Sequence, residues 1–214
     1  GAALFYQNIG DNYGDTPFAE QARFKQAQAR AQGKLYANAA TTYKQFIDGF
    51  PESSLVPQAR VERGVALRNA GEFLLSLKEL QAFVEDSPEH ALVPRGLMEA
   101  FMAAKATDDV AAAMALLTRL ISKHADATLY PQALYHRAHM HFLHGRGPAA
   151  IEDSERFLKE FPRLPMAADV LLWLGDFHEA TGKAEAAEKH YLGVVTSHPE
   201  LPQARVALYR AARS

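Results

Sequence analysis

The chain repeats one pattern at a fixed interval of 37 residues, and this period constrains its fold more than any other feature. A dipeptide whose second residue is Pro or Ala closes each interval, at positions 51, 88, 125, 162 and 199. A column of small residues and a column of large apolar residues keep the same spacing. Their members are Ala39, Ser76, Ala113, Ala150 and Ala187, and Phe46, Phe83, Leu120, Phe157 and Val194. Such self-similarity predicts a repeat architecture.

Each interval has the pattern of two helices joined by short turns. Apolar residues recur at three- and four-residue spacings, as in an amphipathic helix, and no segment alternates like a strand. Gly33, Gly71 and Gly182 predict helix ends, and Pro57, Pro94 and Pro131 predict first helical turns. Because one helix pair cannot bury its apolar face alone, we expect successive pairs to stack into an all-α solenoid of antiparallel helix pairs.

The period also predicts the domain plan, which is one array over residues 1–214. We expect a second helix of a partial repeat at 1–14 and a terminal first helix at 200–214. Five full repeats lie between them, at 15–51, 52–88, 89–125, 126–162 and 163–199. Both ends break in mid-repeat, which favours a segment of a longer array. A terminal capping helix is the alternative interpretation.

Composition excludes several classes of function. Lys and Arg number 23 against 25 Asp and Glu, so the net charge is −2, which argues against a nucleic-acid-binding protein. There are no cysteines, so disulfides, thiolate catalysis and cysteine-bound zinc are excluded. No apolar run reaches the ~18 residues of a membrane helix, and we therefore expect no membrane insertion in this segment.

Four histidines in one predicted helix raise the question of a metal site. His136, His139, His141 and His144 point in directions that span about 200° around the helix axis. A zinc site needs three or four ligands that converge on one point. We therefore expect these histidines to pack or to face a partner, and we expect neither a metal nor a cofactor.

Other polar motifs favour structural roles over catalysis. The segment that begins His178-Glu179 resembles a zincin motif, but Gly182 stands where the second histidine is required. The pairs Asp108-Asp109 and Glu152-Asp153 suit the first turns of helices, where carboxylates favour the helix dipole. Trp173 is interpreted as a core or interface residue. No nucleophile, base and orienting group occur in a catalytic pattern, so we expect no enzyme.

The best-preserved repeat, Leu171 to Pro199, identifies the family that the chain resembles. The residues that form its pattern are Leu174, Gly175, Gly182, Ala187, Tyr191 and Pro199. This pattern resembles the tetratricopeptide repeat (TPR), and the resemblance covers essentially the whole chain. It implies a right-handed α-solenoid in which first helices line a concave groove, and it says little about function by itself.

The resemblance also implies which residues face that groove. Carried over by the 37-residue grid, the candidates form a basic end, an apolar middle and an acidic end. They are Arg68, Arg95 and Lys105, then Met98, Met102, Tyr135, His139 and Phe142, and finally Asp169, Asp176 and Glu179. Such a groove suits an extended peptide or a helix of a partner in one orientation. His139 within it predicts pH-sensitive binding.

The leading functional hypothesis is therefore a non-enzymatic protein–protein interaction scaffold. The Phe-Pro joints at 50–51 and 161–162 resemble bacterial envelope TPR proteins of the Tol-Pal-associated coordinator and outer-membrane assembly lipoprotein types. That resemblance implies envelope partners and a periplasmic location, with the cytoplasm as the alternative. A second hypothesis is a homo-oligomer that stacks through the array ends, where Tyr6, Ile9, Leu208 and Tyr209 are apolar.

Overall fold

The computed structural model describes residues 1–6 and 17–214, and this described part is helical without a single strand. Residues 2–6 are helical, and eleven helices follow from residue 17 onward. They are α1 (Pro17–Gln32), α2 (Tyr36–Gly49), α3 (Val56–Asn69), α4 (Phe73–Asp86), α5 (Val93–Ala106), α6 (Val110–Lys123), α7 (Tyr130–Leu143), α8 (Gly147–Glu160), α9 (Met166–Ala180), α10 (Ala184–Ser197) and α11 (Pro202–Ala211). The all-α prediction is confirmed.

Tight turns within the pairs depend on one residue in the left-handed backbone region. Gly71, Gly145 and Gly182 have φ values of 86°, 67° and 73°, a region that glycine enters without steric cost. Lys34 and Asp108 take the same place, with φ of 59° and 58°. The helix end predicted at Gly33 is confirmed, since α1 ends at Gln32, but the left-handed residue there is Lys34, one position later on the repeat grid.

Prolines begin the first helices as the sequence predicts. Pro57, Pro94 and Pro131 each lie at the first or second position of α3, α5 and α7. A proline there breaks no hydrogen bond, since the first amides of a helix have no partner within it.

The two repeat columns form the core of the helix pairs. All ten small and large column residues named above are fully buried. Ser76 is the only polar one, and its hydroxyl donates to the carbonyl oxygen of Gly64 at 2.7 Å. Two glycines let paired helices approach closely. A Cβ atom at Gly64 would lie 2.6 Å from Leu80 Cδ2, and one at Gly175 would lie 2.6 Å from Tyr191 Cδ1.

The described chain divides into two compact units, residues 1–120 and 121–214. In the first unit α1 to α5 pack in order, and the first helices α3 and α5 also touch. In the second unit α7 to α11 pack in order, and the first helices α7, α9 and α11 form a row. Neighbouring pairs within each unit therefore shield one another, as a stacked repeat requires.

The expectations for the chain ends are only partly within the described residues. Residues 7–14 of the predicted partial repeat, with Ile9, lie outside them. The single array over the whole chain, with its repeat boundaries, stays a prediction. Among the described helices, none combines the length and the apolarity that a bilayer crossing requires.

Candidate functional site: the faces of the first helices

The predicted groove residues are divided between the two units. Five of them belong to the first unit and six, Asp169 included, to the second. In the first unit they lie on α3 and α5. Met98 is half-buried, Met102 is exposed by 37%, and Lys105 is exposed near the end of α5. These methionines offer a deformable apolar surface.

Glutamates neutralise the two arginines of the predicted basic end. Arg95 Nη1 lies 2.8 Å from Glu62 Oε1, and Arg68 Nη2 lies 3.0 Å from Glu99 Oε2. Burial works to lower the pKa of Arg95, but the hydrogen bond and the charge of Glu62 outweigh it and raise that pKa. This face of the first unit is therefore an array of cross-helix ion pairs rather than a basic surface.

In the second unit, the three apolar-middle candidates of α7 meet two aromatic residues of α9. We call this set the aromatic surface; its members are Tyr135, His139, Phe142, Trp173 and Phe177. His139 stacks on Trp173 with ring centroids 4.4 Å apart and 13° between the planes. Tyr135 and Phe142 lie 4.8 Å and 6.2 Å from the same indole ring, and Phe177 lies 6.1 Å from Phe142. Every member is half-buried, so each ring also presents part of its surface to solvent.

The acidic candidates border the aromatic surface along α9. We call Asp169, Asp176 and Glu179 the acidic edge. The Tyr135 hydroxyl donates to Asp169 Oδ2 at 3.3 Å, which joins the two sets directly. Burial, then the charge of Asp169, then this hydrogen bond raise the pKa of Tyr135 to about 12.

The histidines of α7 separate instead of converging. His139 belongs to the aromatic surface, whereas His141 Nε2 lies 3.7 Å from Asp153 Oδ2 of α8. His144 is exposed at the helix end. Within residues 1–6 and 17–214, no three His, Cys, Asp or Glu side chains are grouped to hold a metal ion.

The zincin-like pair has packing roles. His178 stacks on His190 of α10, with centroids 5.2 Å apart and nearly parallel rings. Glu179 Oε2 accepts a hydrogen bond from the Tyr191 hydroxyl at 2.9 Å.

Of the two predicted capping pairs, Asp108-Asp109 is confirmed at Asp109 alone, since Asp108 is the left-handed turn residue, and Glu152-Asp153 is wrong. Asp109 Oδ1 accepts a hydrogen bond from the backbone amide of Ala112 at 2.9 Å, at the start of α6. Asp153 lies in the middle of α8, is buried, and pairs with Arg137 at 2.6 Å and 2.8 Å. A buried carboxylate needs such a partner, and the bidentate guanidinium supplies it.

Sequence reasoning missed one set of site residues, although these residues also recur at the 37-residue spacing. Glu62, Glu99, His136 and Trp173 are each 37 residues apart, and three of them take part in the contacts described above. The predicted groove columns omitted this one. Extending the grid to it would have added Trp173 and the two glutamates to the candidate residues.

Two segments of the chain match family models described as tetratricopeptide repeat, residues 144–202 and 21–53. Among curated proteins, none is similar enough to count as a relative. Solved structures with the same fold include MamA, at 17% identity and a TM-score of 0.64 over 93% of both chains.

A second similar structure is YrrB, described as a TPR protein with an unusual peptide-binding site. Its identity is 13% and its TM-score 0.67, over 98% of this chain and 100% of that one. A third is PilW, a widely conserved type IV pilus biogenesis factor. Its identity is 18% and its TM-score 0.66, over 96% of this chain and 94% of that one. Residues 144–202 and 21–53 therefore match tetratricopeptide repeats, and the similar structures show that the fold is TPR-like and helical.

Proposed function

We propose that this protein is a non-enzymatic scaffold that binds a peptide or a helix of a partner protein on its first helices, with the aromatic surface as the principal contact. The observation that carries the proposal is the gathering of Tyr135, His139, Phe142, Trp173 and Phe177 on two adjacent helices, all half-buried. Tryptophan and tyrosine dominate the binding energy of protein interfaces.

A stacked repeat suits this role physically. Its helices are ordered before binding, so the partner alone loses conformational freedom and the cost of association falls. The half-buried rings are held by their neighbours on α7 and α9, which keeps their orientation fixed. Similarity to YrrB, whose structure has a peptide-binding site, supports a peptide as the ligand.

We further propose the bacterial cell envelope, and its periplasmic side, as the setting. The Phe-Pro joints that resemble envelope TPR proteins support this proposal, as does the similarity to PilW, a pilus biogenesis factor. Partners would then be envelope proteins with an exposed extended segment or helix.

The test is quantitative affinity purification from a bacterial envelope extract. The intact chain is compared with a Tyr135→Ala/Phe142→Ala variant and with a Leu74→Ala/Leu75→Ala control, which removes two exposed apolar side chains of α4. We expect the first variant to recover at least about tenfold less of the specific partner and the control to recover as much as the intact chain. Circular dichroism should show that both variants are folded. Equal recovery with both variants would refute the aromatic surface as the site.

A second candidate function is self-association through α11. Leu208 and Tyr209 are exposed by 55% and 64%, although isolated exposed apolar residues are common. Light scattering at high protein concentration tests this function. It predicts a dimer that Leu208→Glu converts to a monomer, and a strictly monomeric wild type would reject it.

A further inference from the structure

The acidic edge has more negative charge than its contacts neutralise. Asp169 accepts hydrogen bonds from the Tyr135 hydroxyl at 3.3 Å and from Gln203 Nε2 at 2.9 Å, both uncharged donors. The guanidinium of Arg210 on α11 pairs with Asp176. Among residues 1–6 and 17–214, the contacts of the three carboxylates thus include one cation, Arg210, which leaves the edge net negative.

A buried hydroxyl holds two of these carboxylates together. The Tyr191 oxygen lies 2.8 Å from Asp176 Oδ1 and 2.9 Å from Glu179 Oε2, and its ring is fully buried. One phenolic proton can be donated to only one of the two carboxylates at a time. Burial first, and then both carboxylates, raise the pKa of Tyr191, as expected next to negative charge.

The countercharge that Arg210 supplies is open to replacement. The Arg210 and Asp176 side chains are exposed by 37% and 47%, and a solvent-exposed ion pair adds little stability. A second cation from outside can therefore compete for the same carboxylate with little loss to the fold.

The acidic edge and the aromatic surface share one face of α9. Asp169, Trp173 and Asp176 are spaced by four and three residues, the spacing of neighbours on a helix surface. A chain segment lying across Trp173 therefore passes directly beside the carboxylates.

We propose that the partner segment bound on the aromatic surface is an extended, basic one, in which Lys or Arg side chains next to apolar residues engage the acidic edge and displace Arg210 from Asp176. This inference rests on the proposed function and specifies the chemistry of the partner. The charge of the edge favours a cationic segment and repels an acidic one.

Intrinsic fluorescence measures this directly, because Trp173 is the only tryptophan of the chain. Two synthetic peptides of equal length share the same prolines and leucines and have either lysine or glutamate at the charged positions. We expect the lysine peptide to change the Trp173 emission saturably and to bind about tenfold more tightly than the glutamate peptide at low salt. High salt should reduce this difference, since exposed charges are screened.

Two charge variants separate binding from structure. Asp176→Asn keeps a hydrogen-bond acceptor for Tyr191 and should weaken the binding of the lysine peptide several-fold. The control Glu188→Gln, on the exposed surface of α10, should leave the affinity for this peptide unchanged. Arg210→Gln removes the cation that competes for Asp176 and should tighten the binding of the lysine peptide about threefold. A change of this size is no larger than the free energy of an exposed ion pair.

The outcomes separate the two proposals. Equal affinity for both peptides, or a preference for the glutamate peptide, would overturn the basic partner and keep an apolar peptide site. Weaker binding after Arg210→Gln would likewise contradict competition at Asp176. Failure of both peptides to bind, by fluorescence and by calorimetry, would overturn the aromatic surface as a peptide site as well.

Discussion

A methyl group added at Gly175, in the second unit, would collide with the neighbouring helix α10. A Cβ atom there would lie 2.6 Å from Tyr191 Cδ1, well inside van der Waals contact. The Tyr191 ring cannot move aside easily, because it is fully buried and its hydroxyl is bonded to Asp176 and Glu179. We therefore predict that Gly175→Ala forces α9 and α10 apart.

The size of the effect follows from two opposing terms. Overpacking a filled core costs about 1–3 kcal/mol, whereas replacing a helical glycine by alanine contributes about 0.5–1 kcal/mol of stability. Gly193 on α10 is the matched control, since its Cβ would meet Leu171 at ordinary distances of 3.5 Å and 3.7 Å. The free energies of unfolding of the two alanine variants should thus differ by about 1–3 kcal/mol, with Gly193→Ala the more stable.

Urea unfolding followed by Trp173 fluorescence measures this difference in the second unit, since the indole lies on α9 two residues before Gly175. Gly193→Ala should unfold at a higher urea concentration than wild type, and Gly175→Ala at a lower one. Equal stability of the two variants, or a more stable Gly175→Ala, would refute close helix contact as the reason for glycine at this position.

Three further changes test other parts of the fold. Burial lowers the pKa values of His141, His178 and His190, so the unfolded chain binds protons more readily than the folded one. In acid denaturation profiles we therefore expect the full free energy of unfolding above pH ~6.5 and a decrease below it. An increase below this pH would contradict the burial. Lys34→Gly removes the steric cost of a non-glycine residue at φ 59°. It should stabilise the fold by about 1 kcal/mol and so raise the melting temperature, and a lower melting temperature would count against this. Asp153→Asn leaves a partly buried guanidinium without its countercharge and should cost about 3 kcal/mol in chemical denaturation, whereas an unchanged midpoint would show that the pair is not stabilising.

The period predicts the helix pairs well because it records which residues must be buried in every pair. Ala187 and Val194 are fully buried, as their columns require. Gly71 and Gly182 adopt the left-handed turns that the predicted helix ends need. At the predicted helix end near Gly33 the left-handed residue is Lys34, because the turn geometry, rather than the residue type, selects the position.

Charge pairing is the part of the site that the period could not predict. Arg210 meets Asp176 across 34 residues, and Arg68 meets Glu99 across 31 residues. These offsets differ from 37 because they depend on the angle at which adjacent first helices cross, and a column of residue types contains no information on that angle. The two arginines of the predicted basic end are therefore neutralised, whereas the acidic edge is only partly so.

The signal of the Trp173 indole N–H in a ¹⁵N-edited NMR spectrum tests the central claim most directly, since the chain has one tryptophan and hence one such resonance. The protein is titrated with the lysine peptide, and bound fraction is followed independently by calorimetry. The account predicts that this resonance shifts or broadens in proportion to the bound fraction. A peptide that binds stoichiometrically while the indole resonance stays unchanged would contradict it.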